Sequence, residues 1–299
     1  MELRHIELDL EVAKKHATIA ANRDMLIDAL EGDWSTSFKG QGMEFAGYRA
    51  YQFGDDASLI DWKVSLRSNK PLVKEFEVYR NFRVFILLDV SDSMLFSSTQ
   101  KLKVEYAAEV AYVLADAILR SGDAVGFGMF SDGLRVRLEP NIGPMILQGI
   151  KHELHDVRNY GGPKSIVRPL KETLAFLNPR GILILISDFI GLEPNWTNYI
   201  RNFSQFFSVI GIGVRDPRDR HLPKDIGQLM VENPSTNEAM YIDTKDFSKK
   251  YEELVKKDEN SLNSIFTGSQ GDFIVLETNE EYFDKLITFF RKRLFKPRT

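Results

Sequence analysis

Asp89, Ser91 and Ser93 fall at alternating positions directly after the apolar run Phe82-Arg83-Val84-Phe85-Ile86-Leu87-Leu88. A short apolar run of this kind reads as a buried strand. Where such a strand ends the chain must turn, and alternate residues of a tight turn can bring one carboxylate and two hydroxyls to one point. These oxygens are hard ligands, suited to Mg2+ or Mn2+ and poorly suited to zinc or copper. A second oxygen site stands at the end of another apolar run, Ile182-Leu183-Ile184-Leu185-Ile186-Ser187, which delivers Asp188. Read singly, each residue has a plainer role: Asp89 can cap a turn, and Ser91 or Ser93 can cap a following helix.

The elements around these residues explain why they can meet. From Phe82 onward, strand patterns alternate with helix patterns, which predicts a mostly parallel sheet with helices on both faces. The strand candidates are Val84 to Leu88, Ala124 to Phe130, Leu134 to Leu138, Ile182 to Ile186 and Phe206 to Val214. Helical spacing covers Leu102 to Arg120, Pro144 to Val157, Val167 to Leu177, Phe247 to Ile265 and Glu280 to Arg293. The expected class is therefore α/β with a doubly wound sheet. Such sheets bind ligands outside the carboxyl ends of the strands, where strand order reverses. If the strands ending at Asp89 and Asp188 flank that point, their carboxylates face one crevice.

Residues 1–81 differ in texture and are expected to form a smaller α+β region beside the sheet domain at 82–299. Apolar residues at helical spacing predict a helix from Leu10 to Leu30, ended by Gly32-Asp33. Short strands are expected at Gly42 to Tyr51 and Leu72 to Tyr79. A hairpin inserted near 226–242, broken at Asn233-Pro234-Ser235, follows the fifth strand of the sheet domain.

Bulk properties narrow the function. The 299 residues are 43% hydrophobic and 27% charged, ordinary for a globular chain with a real core. A formal net charge of -4 gives no electrostatic case for nucleic acid. Cysteine is absent, which removes disulfides, thiolate catalysis and cysteine-held zinc or iron-sulfur sites. No apolar run approaches the roughly 20 residues of a membrane helix, and the first residues lack a signal-peptide core, so a cytoplasmic location without membrane insertion is expected. The oligomeric state is not legible.

The pattern D-x-S-x-S at Asp89, Ser91 and Ser93 resembles the metal-ion-dependent adhesion site of von Willebrand factor A domains. A wider set of residues looks like the "domain of unknown function 58" family: Gly42-Met43-Glu44-Phe45, Arg49, Tyr51, Gly54-Asp55-Asp56, Ile60-Asp61-Trp62-Lys63, Lys74-Glu75-Phe76-Glu77, Phe130-Ser131-Asp132, Asp216-Pro217 and Leu222-Pro223. Ser58 departs from that signature, where an arginine is common, and the upstream membrane helices of many relatives are not seen. In von Willebrand factor A domains a threonine usually follows the paired glycines of an intervening loop. Here Tyr160-Gly161-Gly162-Pro163-Lys164-Ser165 offers Ser165 for that role.

The resemblance implies a metal site of Asp89, Ser91, Ser93, Ser165 and Asp188 holding Mg2+ or Mn2+. The hydroxyls would bind directly, and the carboxylates partly through water. It implies a protein-interaction module, bridged to a partner carboxylate by the ion and serving as adaptor for a MoxR-type AAA+ ATPase. A metal-free structural scaffold of the same fold is the alternative. A Mg2+-dependent phosphohydrolase is weaker, because position 91 is serine where a second acid would protonate the leaving group.

Overall fold

The two apolar runs that end at Asp89 and at Ser187 become neighbouring strands in the middle of one sheet. The computed structural model describes residue 8 and residues 24–30, 43–52, 57–68, 70–78, 82–179, 181–223, 227–232 and 239–294. Helix α1 covers 24–30, the part of the expected 10–30 helix that lies within the described residues. Strand β1 (Met43–Ala50), helix α2 (Trp62–Ser68) and strand β2 (Leu72–Val78) follow, with β1 and β2 antiparallel. The Gly54-Asp55-Asp56 stretch lies outside the described residues.

The main sheet begins with β3 (Arg83–Asp89), followed by α3 (Lys103–Arg120), β4 (Ala124–Phe130) and β5 (Leu134–Asn141). Helices α4 (Pro144–His155) and α5 (Val167–Phe176) lead to β6 (Gly181–Ser187). Then come α6 (Trp196–Ser204), β7 (Phe207–Arg215) and the short α7 (Pro217–Arg220). Strands β8 (Gln228–Glu232) and β9 (Ala239–Asp243) pair as the expected hairpin, its turn lying outside the described residues. The chain continues through α8 (Thr244–Gly268), β10 (Asp272–Glu277) and α9 (Tyr282–Leu294).

Strand order in the main sheet is β10-β7-β6-β3-β4-β5. All pairs are parallel except β4 with β5. That exception follows from the connection, since only Ser131 to Gly133 join the two strands and a turn that short reverses the chain. The order runs outward in both directions from β3 and β6, so the fold is a doubly wound α/β sheet and the reversal point lies between the strands ending at Asp89 and Ser187.

Two apolar layers cover the sheet. Ile86, Leu88, Ile184 and Ile186 point to one face, packed by α3 and α9 and joined by Leu26 and Leu30 of α1. Phe85, Leu87, Leu183 and Leu185 point to the other, where Leu170, Ile200 and Phe266 pack from α5, α6 and α8. Alternation within fully buried strands sends successive side chains to opposite helical layers. Gly211 lets α8 approach β7, since a Cβ there would stand 2.5 Å from the Phe266 ring.

Candidate functional site

Registers place the acids. Leu88 of β3 pairs with Ile186 of β6, so Asp89 and Ser187 stand side by side at the strand ends. Ser187 Oγ donates to Asp89 Oδ2 at 2.6 Å. On the other oxygen, Asp89 Oδ1 accepts from Ser91 N at 3.0 Å and from Ser91 Oγ at 2.6 Å. Ser91 Oγ in turn lies 3.3 Å from Ser93 Oγ. The alternating turn therefore converges its oxygens, as the spacing predicts.

Asp188 is delivered by a strained turn. Phe189, the next residue, has φ +53° although it carries a bulky side chain. A left-handed conformation of this kind costs roughly 1–3 kcal/mol and persists where the surroundings enforce it. The enforcement is visible: the Phe189 ring packs edge-on against Phe266 at 5.6 Å and Phe273 at 5.5 Å. Its amide donates to Ser187 Oγ, and the Ile190 amide donates to Asp188 Oδ1, both at 3.0 Å. Asp89 and Asp188 are wholly buried.

The counter-charge comes from two lysines. The Lys164 ammonium lies 2.9 Å from Asp89 Oδ2, contacts Asp188 Oδ1 and reaches Ser93 Oγ at 3.3 Å. Its side chain is only 7% exposed. Lys103 Nζ sits 2.9 Å from both Asp188 Oδ2 and Asp219 Oδ2. A cation in the first turn of α3 opposes the helix dipole, so Lys103 depends on those carboxylates for its place. Burial alone would push the Asp188 carboxyl up, but the charges of Lys164 and then Lys103 hold it well below the usual carboxylate range. Burial would lower Lys164, yet Asp188 and Asp89 raise it above the usual lysine value.

A loop clasp sets the position of Lys164. Gly161 N donates to Val90 O at 2.7 Å, and Asp92 N donates to Gly162 O at 2.9 Å. Gly161 and Gly162 take φ +87° and +95°, a region that favours glycine. This brings the 161–164 loop across the 89–93 turn and aims Lys164 between the two strand ends.

Of the five residues expected to hold a metal, the structure brings Asp89, Ser91, Ser93 and Asp188 together. Ser165 is placed differently: its hydroxyl donates to Glu193 Oε1, and its amide donates to Ser131 O at 2.8 Å. The oxygens that do gather already surround an ammonium. Mg2+ needs contacts near 2.1 Å, and a divalent ion so placed would stand against Lys164 with strong repulsion at low dielectric. The residues as arranged do not fit a divalent ion while Lys164 stays in place. Among the described residues, no group of three or more His, Cys, Asp or Glu side chains is arranged to hold a metal.

Sequence reasoning missed Lys164, Lys103, Ser187 and Asp219. The available signal was the lysine standing in the Gly-Gly loop next to the position expected to carry a hydroxyl.

With the geometry in view, comparison with known proteins places the chain. The defining pattern of the family described as "Protein of unknown function DUF58" matches residues 47–261. The chain belongs to the DUF58 family. A relative, the uncharacterized protein Rv1480 of Mycobacterium tuberculosis, is 29% identical to this DUF58 protein over 220 residues, covering 71% of this chain and 67% of the relative. The uncharacterized protein YeaD of Bacillus subtilis is 33% identical over 114 residues, 38% of this chain and 25% of its own length.

Among solved structures, a von Willebrand factor type A protein from Catenulispora acidiphila is similar at TM-score 0.37 and 12% identity, over 75% of this chain and 45% of that one. An aerotolerance-related membrane protein from Bacteroides fragilis is similar at TM-score 0.48 and 16% identity, over 71% of this chain and 100% of that one. The strand order of the DUF58 chain itself establishes its fold. Among its described residues, no helix is long and apolar enough to cross a membrane.

Proposed function

We propose that this DUF58 protein is a protein-interaction module that engages its partner at the carboxyl end of the sheet and turns over no substrate. Saturation of the crevice carries this reading. Each oxygen of Asp89 accepts two hydrogen bonds, and the three donors of the Lys164 ammonium face Asp89, Asp188 and Ser93.

Catalysis would need one of these groups to be free. A carboxylate nucleophile requires an unblocked oxygen aimed at the reacting centre, and Asp89 is buried with both oxygens engaged. This weighs against the phosphohydrolase alternative. A serine nucleophile requires a neutral base. The amine beside Ser93 is Lys164, and two carboxylates in contact with it favour the protonated form.

The rim of the crevice supports docking. Phe96 is 45% exposed and Ile190 is 38% exposed. The Phe96 ring lies 5.7 Å from Lys103 Nζ, and Ile190 follows the turn that delivers Asp188. Aromatic residues are enriched at interface cores, and exposed apolar side chains beside a rigid charged centre offer a partner an anchor. The family resemblance supplies the first candidate partner, a MoxR-type AAA+ ATPase. With Lys164 in the crevice, this docking proceeds without a divalent ion, which joins the interaction role to the metal-free alternative.

The test is calorimetric titration of the purified chain with a MoxR-type ATPase from the same genome, in the presence of chelator. Binding is expected, and a Phe96→Ala, Ile190→Ala double variant with an unchanged circular-dichroism spectrum should bind at least about tenfold more weakly. Equal affinity of the double variant would move the docking face elsewhere. Absence of binding by wild type would remove this partner.

A further inference from the structure

We propose that Lys164 is the resident cation of the crevice, a covalently tethered ammonium that replaces a divalent ion, and that removing it uncovers a metal site. The inference deepens the reading of this same crevice but does not depend on which partner docks there.

Its basis is coordination. The ammonium has three donors and meets three acceptors, Asp89 Oδ2, Asp188 Oδ1 and Ser93 Oγ. These oxygens come from both sides of the strand-order reversal and belong to the set that the sequence assigns to Mg2+ or Mn2+. Two fully buried carboxylates cannot stay charged without a counter-charge, because burial of an unpaired ion is prohibitive. Lys164 supplies that charge to both at once.

Tethering makes the substitution effective. The Gly161 and Gly162 backbone is pinned to Val90 and Asp92, so the ammonium starts two residues from a fixed point. An intramolecular cation competes at a high effective concentration, whereas a free ion must be recruited from solution. Charge balance agrees. Asp89 and Asp188 are matched by Lys164 and Lys103, and Asp219 shares Lys103. Adding a divalent ion would leave this cluster with an excess of positive charge in a buried setting. Removing Lys164 would leave Asp89 Oδ2, Asp188 Oδ1 and Ser93 Oγ around an open position, with Lys103 still holding only the far oxygen of Asp188.

The experiment is titration of Mn2+ followed by electron paramagnetic resonance, with parallel thermal melts, on chelator-treated protein. Wild type is expected to take up no Mn2+ at millimolar concentration and to melt at the same temperature with or without it. Lys164→Ala should bind Mn2+ at least about tenfold more tightly than wild type and should melt higher in its presence, since a ligand that binds only the folded state stabilises it. A Lys164→Ala, Asp188→Asn variant should lose both effects. Lys164→Gln, which is one bond shorter and keeps an uncharged donor, serves if the alanine variant does not fold without the ion. Wild type binding Mn2+ as tightly as the variants would overturn the proposal, because the lysine would then not be the resident cation. Folded Lys164 variants that bind no Mn2+ would overturn it equally, and neither result bears on whether Phe96 and Ile190 dock a partner.

Discussion

Asp92 and Gly162 hold each other through two reciprocal hydrogen bonds: Asp92 N donates to Gly162 O at 2.9 Å, and Gly162 N donates to Asp92 Oδ1 at 2.7 Å. This clasp joins the turn after β3 to the loop before α5 and so aims Lys164. Gly162 sits at φ +95°, and a Cβ there would come within 2.5 Å of Arg135 Nη2. Gly162→Ala should therefore cost about 1–3 kcal/mol from backbone strain, read as a lower urea midpoint. An unchanged midpoint would mean that the loop reaches Lys164's position without this geometry.

Lys103 gives a sharper stability test. Its side chain is 2% exposed and holds Asp188 on one side and Asp219 on the other. Lys103→Ala strands the Asp188 carboxylate in the interior with one fewer partner. Breaking a buried pair from one side costs about 3–5 kcal/mol. Chemical denaturation of the variant should show a loss in that range, and a loss below about 1 kcal/mol would show that Asp188 is relieved by another route.

The parts of this fold that could be read beforehand are those where a local pattern decides the outcome. The apolar runs at 84–88 and 182–186 have no solvated face, so they had to be central strands, and the acids that follow them, Asp89 at once and Asp188 after Ser187, had to emerge at the sheet's carboxyl end. The antiparallel placement of β5 was not read, although its two-ended hairpin connection forces it. Strand β10 was missed because Phe273-Ile274-Val275-Leu276 is a short run between Asp272 and Glu277, and such runs do not declare their pairing. Lys164 was hidden for a different reason. A lysine is ordinarily a surface residue, and its place between Asp89 and Asp188 depends on two loops meeting that are some 70 residues apart. Ser165 follows the glycines and so reads as the inward hydroxyl, but Glu193 captures it. Its neighbour turns inward instead.

The segment leading into that loop has its own electrostatic signature. Asp156 Oδ1 accepts from Arg158 N at 3.0 Å and Arg158 Nε at 2.9 Å, while Oδ2 accepts from Nη2 at 2.6 Å. The Arg158 side chain, and then its amide, lower the Asp156 pKa to about 2. A depressed carboxyl stabilises the fold at pH above its unfolded value near 4, and that contribution is lost as pH falls toward 2. Carbon-detected NMR titration should find Asp156 still ionised at pH 3, and Arg158→Ala should raise its midpoint toward the ordinary aspartate value. An ordinary midpoint in wild type would refute the pairing in solution.

Gly211 tests the packing that supports Asp188 from behind. It lies in the middle of β7, next to β6, and Phe266 of α8 rests on it; a Cβ would meet that ring at 2.5 Å. Phe266 also stacks on Phe273 at 5.2 Å and meets Phe189 at 5.6 Å, so it has little freedom to withdraw. Gly211→Ala should thus push Phe266 against the Phe189 ring. Overpacking of a filled core costs roughly 1–3 kcal/mol. The displacement should also loosen the left-handed turn at Phe189, because that conformation is held by the same aromatic contacts. Hydrogen exchange should then accelerate at the Phe189 and Ile190 amides, which bond Ser187 and Asp188, beyond the change at amides of β3. If stability falls while those two amides keep their protection, the aromatic cluster carries the core but does not set the geometry of Asp188.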